Sequence, residues 1–515
     1  MTDLTSYDRV PYPATAFPQT HPAAIEVLAH LRGMDPAPVE RCRVLELGCG
    51  SAGNLIPMAY QYPDSTFVGV DLSRTAIKAG ERAAADLGLW NLGLSHMDIM
   101  DLPDLGSFDY IIAHGVYSWV PPPVRERMME IFSRHLAPQG VAYVSYNCKP
   151  RSHVRDIARD IMLFHTRAMT DPAERVEQAR GALRFIAEAT DPSDIYGFTL
   201  RDLSRSLDER EAEVVYHDDL NPNSTPFLFV DVMEVATRNG LQFLCEAASS
   251  PKLEGHLEPM NAFLDRIPDS SIVVREQYFD FFVGRGFRST LLCHAAVDLQ
   301  HRVDPLAIRP YRIVGRLEPE GGEFDPAGRE AVQFTASGKR ALATDHRLSK
   351  AAILHLSEIW PGAADLDELL AAALARLGPG AADIEANLAD ETEALAGVLY
   401  RAFAAGALAL RRTPPPLASR VGERPEASLL ARRQAASGTR VTNLLHGAVA
   451  LDDPTVRRFV QLLDGTRTID DLVADLRGGL AADAHNPERG ESPVITREDV
   501  ERNLEAVLRL GLLVA

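Results

Sequence analysis

Cysteine is scarce in this sequence and badly placed for pairing. The five thiols (Cys42, Cys49, Cys148, Cys245 and Cys293) are scattered and odd in number, and no C-x-x-C pair occurs. Neither a disulfide framework nor a cysteine zinc site is indicated, and a reducing, cytoplasmic location is expected. No apolar run reaches the roughly 18 residues that a membrane span needs. No membrane insertion is therefore expected, and the opening MTDLTSYDRV carries acid and no apolar stretch, so no secretory leader is expected either. Positive charge is also in deficit: 53 lysines and arginines face 72 aspartates and glutamates, for a net charge of -19. Such a surface does not hold nucleic acid by charge, and beyond keeping the chain soluble it suits a neutral or basic protein partner.

What is present is an ordinary globular composition, 46% hydrophobic and 24% charged over 515 residues. That length holds three or four domains at about 150 residues each. Short apolar strands alternate with helical stretches from Arg43 onward. Arg43 to Leu47, Thr66 to Val70, Leu92 to His96, Phe108 to Ala113 and Val141 to Tyr146 read as strands. Asn54–Tyr60, Ser73–Leu87 and Pro123–His135 read as the helices between them. This rhythm predicts an α/β fold with a parallel, Rossmann-like sheet covered on both faces.

The rhythm stops at about residue 150. Residues 151–213 read as helices only, and strands resume at Leu241–Cys245 and Ser289–Val297. The expected sheet domain therefore comprises 1–150 and 214–298, split by a helical insert over 151–213. An insert this small is not expected to bury a core of its own, so it should pack on the sheet domain, on a second copy, or over the site. Past residue 298 leucine and alanine dominate, and a weak repeat is visible. Helix, turn, short helix, long helix and apolar strand occur in that order twice, in 299–412 and in 413–515. This is a mostly α, winged-helix-like pattern. The second helices, LDELLAAAL and IDDLVADL, are acidic where a DNA reader would be basic, so no nucleic acid is expected and a protein or peptide partner is.

The chemistry is concentrated in VLELGCGSAGN, a strand followed by a glycine loop with Gly48, Gly50 and Gly53 spaced as G-x-G-x-x-G. Such a loop turns backbone N–H groups and a helix start toward a ligand, and NAD, FAD and S-adenosylmethionine proteins all use it. Acidic residues separate these ligands. Asp71 ends the second strand, 23 residues after Gly48, and suits ribose hydroxyls. Asp98 and Ile99 follow the third strand and suit an adenine, with a carboxylate for the amino group and an apolar wall. Glu46, two residues before Gly48, would repel a pyrophosphate. A ligand with an ammonium and a sulfonium, and no phosphate, removes that conflict.

VLELGCGSAGN, GVDLS and MDIMDLP resemble the successive motifs of class I S-adenosylmethionine-dependent methyltransferases over roughly residues 40–150. The resemblance implies a seven-stranded sheet whose last strand runs antiparallel to the rest. It implies Gly48, Cys49 and Gly50 along the amino-acid moiety of the cofactor, Asp71 on its ribose, and Asp98 and Ile99 around its adenine. Asn54 and Leu72 are expected in the same site. YDRVPYPATAFPQTHP, ELGCGSAGNLIPMA, HGVYSWVP and EQYFDFFVGRGFRSTLLCH extend the resemblance to methyltransferases with a methyltransferase regulatory domain, of the rickettsial protein lysine methyltransferase type. That family implies an inserted dimerisation element, hence a homodimer, and C-terminal domains that help to hold a protein substrate. One segment departs from it. Cys148-Lys149-Pro150-Arg151-Ser152 stands where Tyr-Pro-Gly-Trp is expected after Ser-Tyr-Asn.

The acceptor side is read from HGVYSWVP, after the fourth strand. Tyr117 and Trp119 are expected to wall the acceptor channel, with core packing as the alternative for Trp119. His114 is expected to shape the cofactor pocket or to act as a base. The aromatic, proline-rich N-terminal arm is expected as a cover that sets Tyr12, Phe17, Thr20 and His21 over the cofactor. His217, Asp218 and Asp219 read as a turn near the acceptor mouth rather than as a metal site, and no metal is expected. Arg285 and Arg288 read as structural ion pairs before the last strand, with binding of an acidic acceptor as the alternative. The expected function is methylation of lysine in a protein or peptide. A smaller biosynthetic acceptor and a non-enzymatic cofactor sensor are the alternatives.

Overall fold

The computed structural model describes residues 5–248, 257–267, 271–336, 338–483 and 495–515. Its centre is a seven-stranded sheet. The strands are β1 (Arg43–Leu47), β2 (Thr66–Asp71), β3 (Leu92–His96), β4 (Phe108–Ala113), β5 (Leu136–Asn147), β6 (Leu241–Glu246) and β7 (Phe287–His294). Their order is β3-β2-β1-β4-β5-β7-β6, with β1 to β5 parallel. β7 is antiparallel to both β5 and β6, as the resemblance implied. Val44, Leu45 and Leu47 of β1, and Tyr110 to Ala113 of β4, are fully buried because helices cover both faces. β5 begins at Leu136, five residues ahead of the run expected from sequence, and its pairing with β4 shifts register between Phe108 and Tyr110. The connections diverge between β1 and β4, which opens a crevice at the carboxyl ends of those strands.

The insert consists of helices Ser152–His165, Pro172–Ala189 and Ile195–Asp208. It does bury a core, contrary to the expectation for so short a segment. Ala158, Met162, Val176, Ala179, Leu183, Leu200 and Leu207 pack together, and Val215 and Leu220 of the returning chain complete the cluster. The return supplies the apolar surface that three short helices lack.

The two C-terminal units repeat one device. Helices Arg347–Glu358 and Leu366–Leu377 form the first pair, and Pro454–Leu462 and Ile469–Asp483 the second. A third helix follows in each, Leu388–Ala404 or Arg497–Arg509, and the chain then turns at Gly406 (φ 74) or Gly511 (φ 69). The segment 413–428 at the start of the second unit is tied down. Leu417 bridges Val514, and Ala427 bridges Leu513. Neither unit stands apart from the sheet domain. Val27 and Leu31 lie in the core of the middle unit, while Leu430 lies in the core beneath the sheet. Among the described residues no helix is long and apolar enough to cross a membrane.

Candidate active site

The glycine loop follows β1 directly. The N–H groups of Gly48 and Cys49 donate to the Val70 carbonyl at 2.8 and 3.1 Å, which ties the loop to the end of β2. Gly48 has φ 75, and a Cβ there would lie 2.5 Å from Val116 Cγ2, so only glycine fits. The third glycine has a different role from the one its spacing suggests. A Cβ on Gly53 would lie 2.7 Å from the backbone nitrogen of Thr15, so Gly53 admits the N-terminal arm.

Carboxylates surround this turn. Asp71 accepts from Gly50 N–H at 2.8 Å and from Ser73 N–H at 2.7 Å, one on each oxygen, which leaves lone pairs for a ligand. Burial raises its pKa, and those two bonds work against the rise. Asp98 accepts from Met100 N–H at 2.9 Å and lines the cavity with Met97 and Ile99. Glu46 is only 3% exposed. Its Oε1 accepts from Asn54 Nδ2 at 2.8 Å, while Oε2 is buried without a partner. Burial pushes the Glu46 carboxyl up to about 7, against the bond from Asn54.

A buried carboxylate oxygen with no hydrogen-bond partner from the protein suits a cation. None of the described cavity-lining residues from Ser6 to Asn147 is a lysine or arginine, so nothing there neutralises a pyrophosphate. The donor set therefore fits S-adenosylmethionine, with its ammonium, sulfonium, ribose and adenine, and does not fit a dinucleotide.

The crevice opens into a cavity of about 1820 Å³, well beyond the ~300–1,000 Å³ usual for a small ligand. Its far side is built by the insert and its return, with Arg155, Phe198, Asp202, Arg210 and Asp218 among the lining residues. Its near wall holds Tyr12, Phe17, Trp119 and Phe287. His114 stacks on Phe17, ring centroids 3.9 Å apart, and its Nδ1 lies 2.9 Å from the Tyr143 hydroxyl. That hydroxyl donates to Ser289 Oγ at 2.9 Å, so His114 carries its proton on Nδ1. Burial lowers the His114 pKa to about 4.

Of the residues singled out from sequence, Glu46, Gly48, Cys49, Gly50, Asn54, Asp71, Leu72, Asp98, Ile99, His114, Tyr12 and Trp119 line this cavity. Three expectations are corrected. Tyr117 is 2% exposed and faces away from the channel, its ring packed against Tyr146 and Phe227. The turn at Gly115 (φ 68) sets Val116 and Trp119 toward the cavity and Tyr117 into the core. Thr20 does not line the cavity and reaches the site only through Asn54, whose Nδ2 donates to its Oγ1 at 2.9 Å. His21 lies outside it too. Its Nδ1 accepts from Ala23 N–H at 3.1 Å to cap the following helix, and its ring packs on His446 and Tyr62.

Sequence reasoning missed Tyr7, whose ring stacks on His217 at 4.3 Å, and the tilted packing of Tyr12 on the same imidazole at 5.8 Å. It read His217–Asp219 as a turn near the acceptor mouth, whereas these residues end a π-helical stretch, Val215–Asp219, with Asp218 and Asp219 at the cavity. His217 Nε2 lies 2.7 Å from the Val10 carbonyl, and Asp219 accepts from Arg155 and Arg210 at 2.8 and 2.5 Å. The contacts of His217 with Tyr7 and Val10 join segments some 200 residues apart, so no local pattern announces them.

Family models match three parts of the chain. One described as a methyltransferase domain matches 44–140, a predicted methyltransferase regulatory domain matches 211–294, and a PKMT C-terminal winged helix domain matches 423–514. The chain is 34% identical to the uncharacterized protein RP028 of Rickettsia prowazekii over 47% of this chain and 98% of that one. It is 34% identical to RP789 of the same organism over 70% of this chain and 66% of that one. Among solved structures it is similar to PKMT2 from Rickettsia typhi, at 28% identity and a TM-score of 0.86, over 98% of this chain and 100% of that one. A second structure of PKMT2, in complex with AdoHcy, matches over the same spans with a TM-score of 0.83.

Proposed function

The chain belongs to the class I S-adenosylmethionine-dependent methyltransferases that carry a methyltransferase regulatory domain, and from that membership we propose that it methylates lysine side chains of a protein or peptide. The observation that carries the acceptor class is the likeness to PKMT2 along the whole chain, C-terminal units included. The cavity supports it, because a protein segment needs more room than a small acceptor.

S-adenosylmethionine supplies a methyl carbon on a sulfonium. Asp71 would accept from the ribose hydroxyls, Asp98 and Ile99 would hold the adenine, and Glu46 Oε2 would face the ammonium. A free lysine has a pKa near 10.4 and must arrive neutral. His114, with a pKa of about 4, is too weak a base to take that proton. The apolar wall of Tyr12, Phe17, Trp119 and Phe287 strips water from the amine instead, which lowers its pKa and aligns it for in-line transfer.

The finer readings rest on surface features. Phe164, Phe185 and Ile195 of the insert are exposed, which supports self-association into a homodimer through those helices. All five cysteines are free and buried, which supports a reducing, cytoplasmic location. The helices Leu366–Leu377 and Ile469–Asp483 carry acidic first turns, which supports a protein rather than a nucleic-acid partner.

Tritium transfer from labelled S-adenosylmethionine into fractionated cell extract tests the acceptor. Label recovered as methyl-lysine after hydrolysis of protein is expected. Label confined to small molecules would overturn the reading in favour of a biosynthetic acceptor, and no label at all would favour a cofactor sensor.

A further inference from the structure

The C-terminal unit touches the cofactor side of the sheet domain through the turn of one hairpin. Its strands, Arg440–Thr442 and Ala448–Ala450, are joined by a turn that Asn443 braces. The Asn443 Oδ1 accepts from Leu445 and Gly447 N–H at 3.1 and 2.6 Å. The turn holds His446 in left-handed backbone, φ 65, a conformation that non-glycine residues seldom adopt. Its side chain is 1% exposed, and its Nε2 lies 2.9 Å from Asn54 Oδ1.

Asn54 immediately follows the glycine loop. Its Oδ1 faces the Phe17 N–H at 3.1 Å as well as His446, while its Nδ2 faces Glu46 Oε1 at 2.8 Å. An amide is directional. Turned over, it would set Oδ1 against the Glu46 carboxylate and its own N–H groups against those of Phe17 and His446. The Thr20 hydroxyl lies within reach of both amide atoms, at 3.1 Å from Oδ1 and 2.9 Å from Nδ2, so the orientation is fixed by the Phe17 and His446 N–H groups, and the His446 donor comes from the C-terminal unit.

We propose that His446 is a positioning residue of the methyl-donor site. It holds the Asn54 amide so that Nδ2 donates to Glu46 Oε1 and Glu46 Oε2 stays directed at the ammonium of the donor. The C-terminal unit then completes the donor site in addition to any part it plays in holding substrate. His446 Nδ1 and Glu46 Oε2 are both buried without a protein partner, as expected where His446 serves through one nitrogen and the carboxylate awaits a ligand. The inference rests on Glu46 as the partner of the ammonium.

Calorimetry on the full chain tests it with two ligands, S-adenosylhomocysteine and 5′-methylthioadenosine, which lacks the amino-acid end. His446→Ala is expected to weaken S-adenosylhomocysteine about tenfold and to leave 5′-methylthioadenosine within about twofold. His446→Gln, which can again donate to Asn54, is expected to recover most of the loss. In an Asn54→Ala background His446→Ala should add less than about twofold, because the path is already cut. Equal loss for both ligands, or none for S-adenosylhomocysteine, would overturn the proposal and leave His446 as packing. Should His446→Ala not fold, His446→Asn tolerates the left-handed backbone and is too short to reach, so it carries the same test. Glu46→Gln separates the premise. If it does not discriminate between the ligands, the reading of Glu46 fails. If it does and the His446 variants do not, the positioning role alone fails.

Discussion

Arg288 and Asp280 grip each other through two hydrogen bonds, Nε to Oδ2 and Nη2 to Oδ1, each 2.8 Å, with neither side chain exposed at all. Glu246 and Glu276 complete the shell at 2.6 and 2.9 Å, and the guanidinium lies 3.8 Å from the Phe229 ring centroid. The cluster anchors the start of β7 to the helix Ile272–Val283 before it and to the end of β6.

Removing one partner from such a pair strands a buried charge. Arg288→Met should cost about 3–5 kcal/mol of stability in a denaturant titration. Cofactor affinity of the folded fraction should hold, because Arg288 does not line the cavity.

Glu46 makes cofactor binding depend on pH. Its carboxyl has a pKa of about 7 against an ordinary 4.5, raised by burial. In the ligand-free chain the stability it contributes is full below the ordinary value and is lost as pH rises through about 7. A cationic ligand favours the carboxylate, so binding below that value releases a proton. Calorimetry in buffers of different ionisation enthalpy should show the release at about pH 6 and none at about pH 8, and Glu46→Gln should abolish it.

Asp71 accepts two backbone N–H groups and is also assigned to the ribose. Asp71→Asn replaces one accepting oxygen by a donor that faces another donor. S-adenosylhomocysteine affinity should fall about 10- to 100-fold. Unchanged affinity would remove Asp71 from the site.

His114 stays neutral through the physiological range, because burial holds its pKa at about 4. The pH–rate profiles of the wild type and of His114→Gln should therefore have the same shape above about pH 6. A limb that vanishes in the variant would restore the general-base role.

If the insert pairs two copies, Phe185→Glu with Ile195→Glu should convert a dimer to a monomer in light scattering and leave S-adenosylhomocysteine binding intact. A monomeric wild type would end the dimer reading.

The sheet was legible because each strand is a short apolar run bounded by turn residues, and β1–β4 lie within a residue of where those runs fall. The cofactor loop was legible for the same reason: Glu46, Gly48, Asp71 and Asp98 each sit at the end of a strand, so their spacing already encodes their position. The insert misled by its length. Its core is completed by Val215 and Leu220, which no count over 151–213 includes.

Residue identity and spacing by themselves determined the fold class and the kind of ligand, since an acidic residue ahead of a glycine loop is a local statement about charge. Direction and partnership were decided only in three dimensions. Tyr117 and Trp119 stand two residues apart, yet the turn at Gly115 sends one into the core and the other to the cavity. Gly53 lines the cavity and also lets the N-terminal arm cross it at Thr15. His446 meets Asn54 across 392 residues, a contact that exists because the C-terminal unit packs its hairpin against the cofactor domain. Such contacts arise when separate apolar surfaces are buried together, and the linear order of residues carries no record of which surfaces will meet.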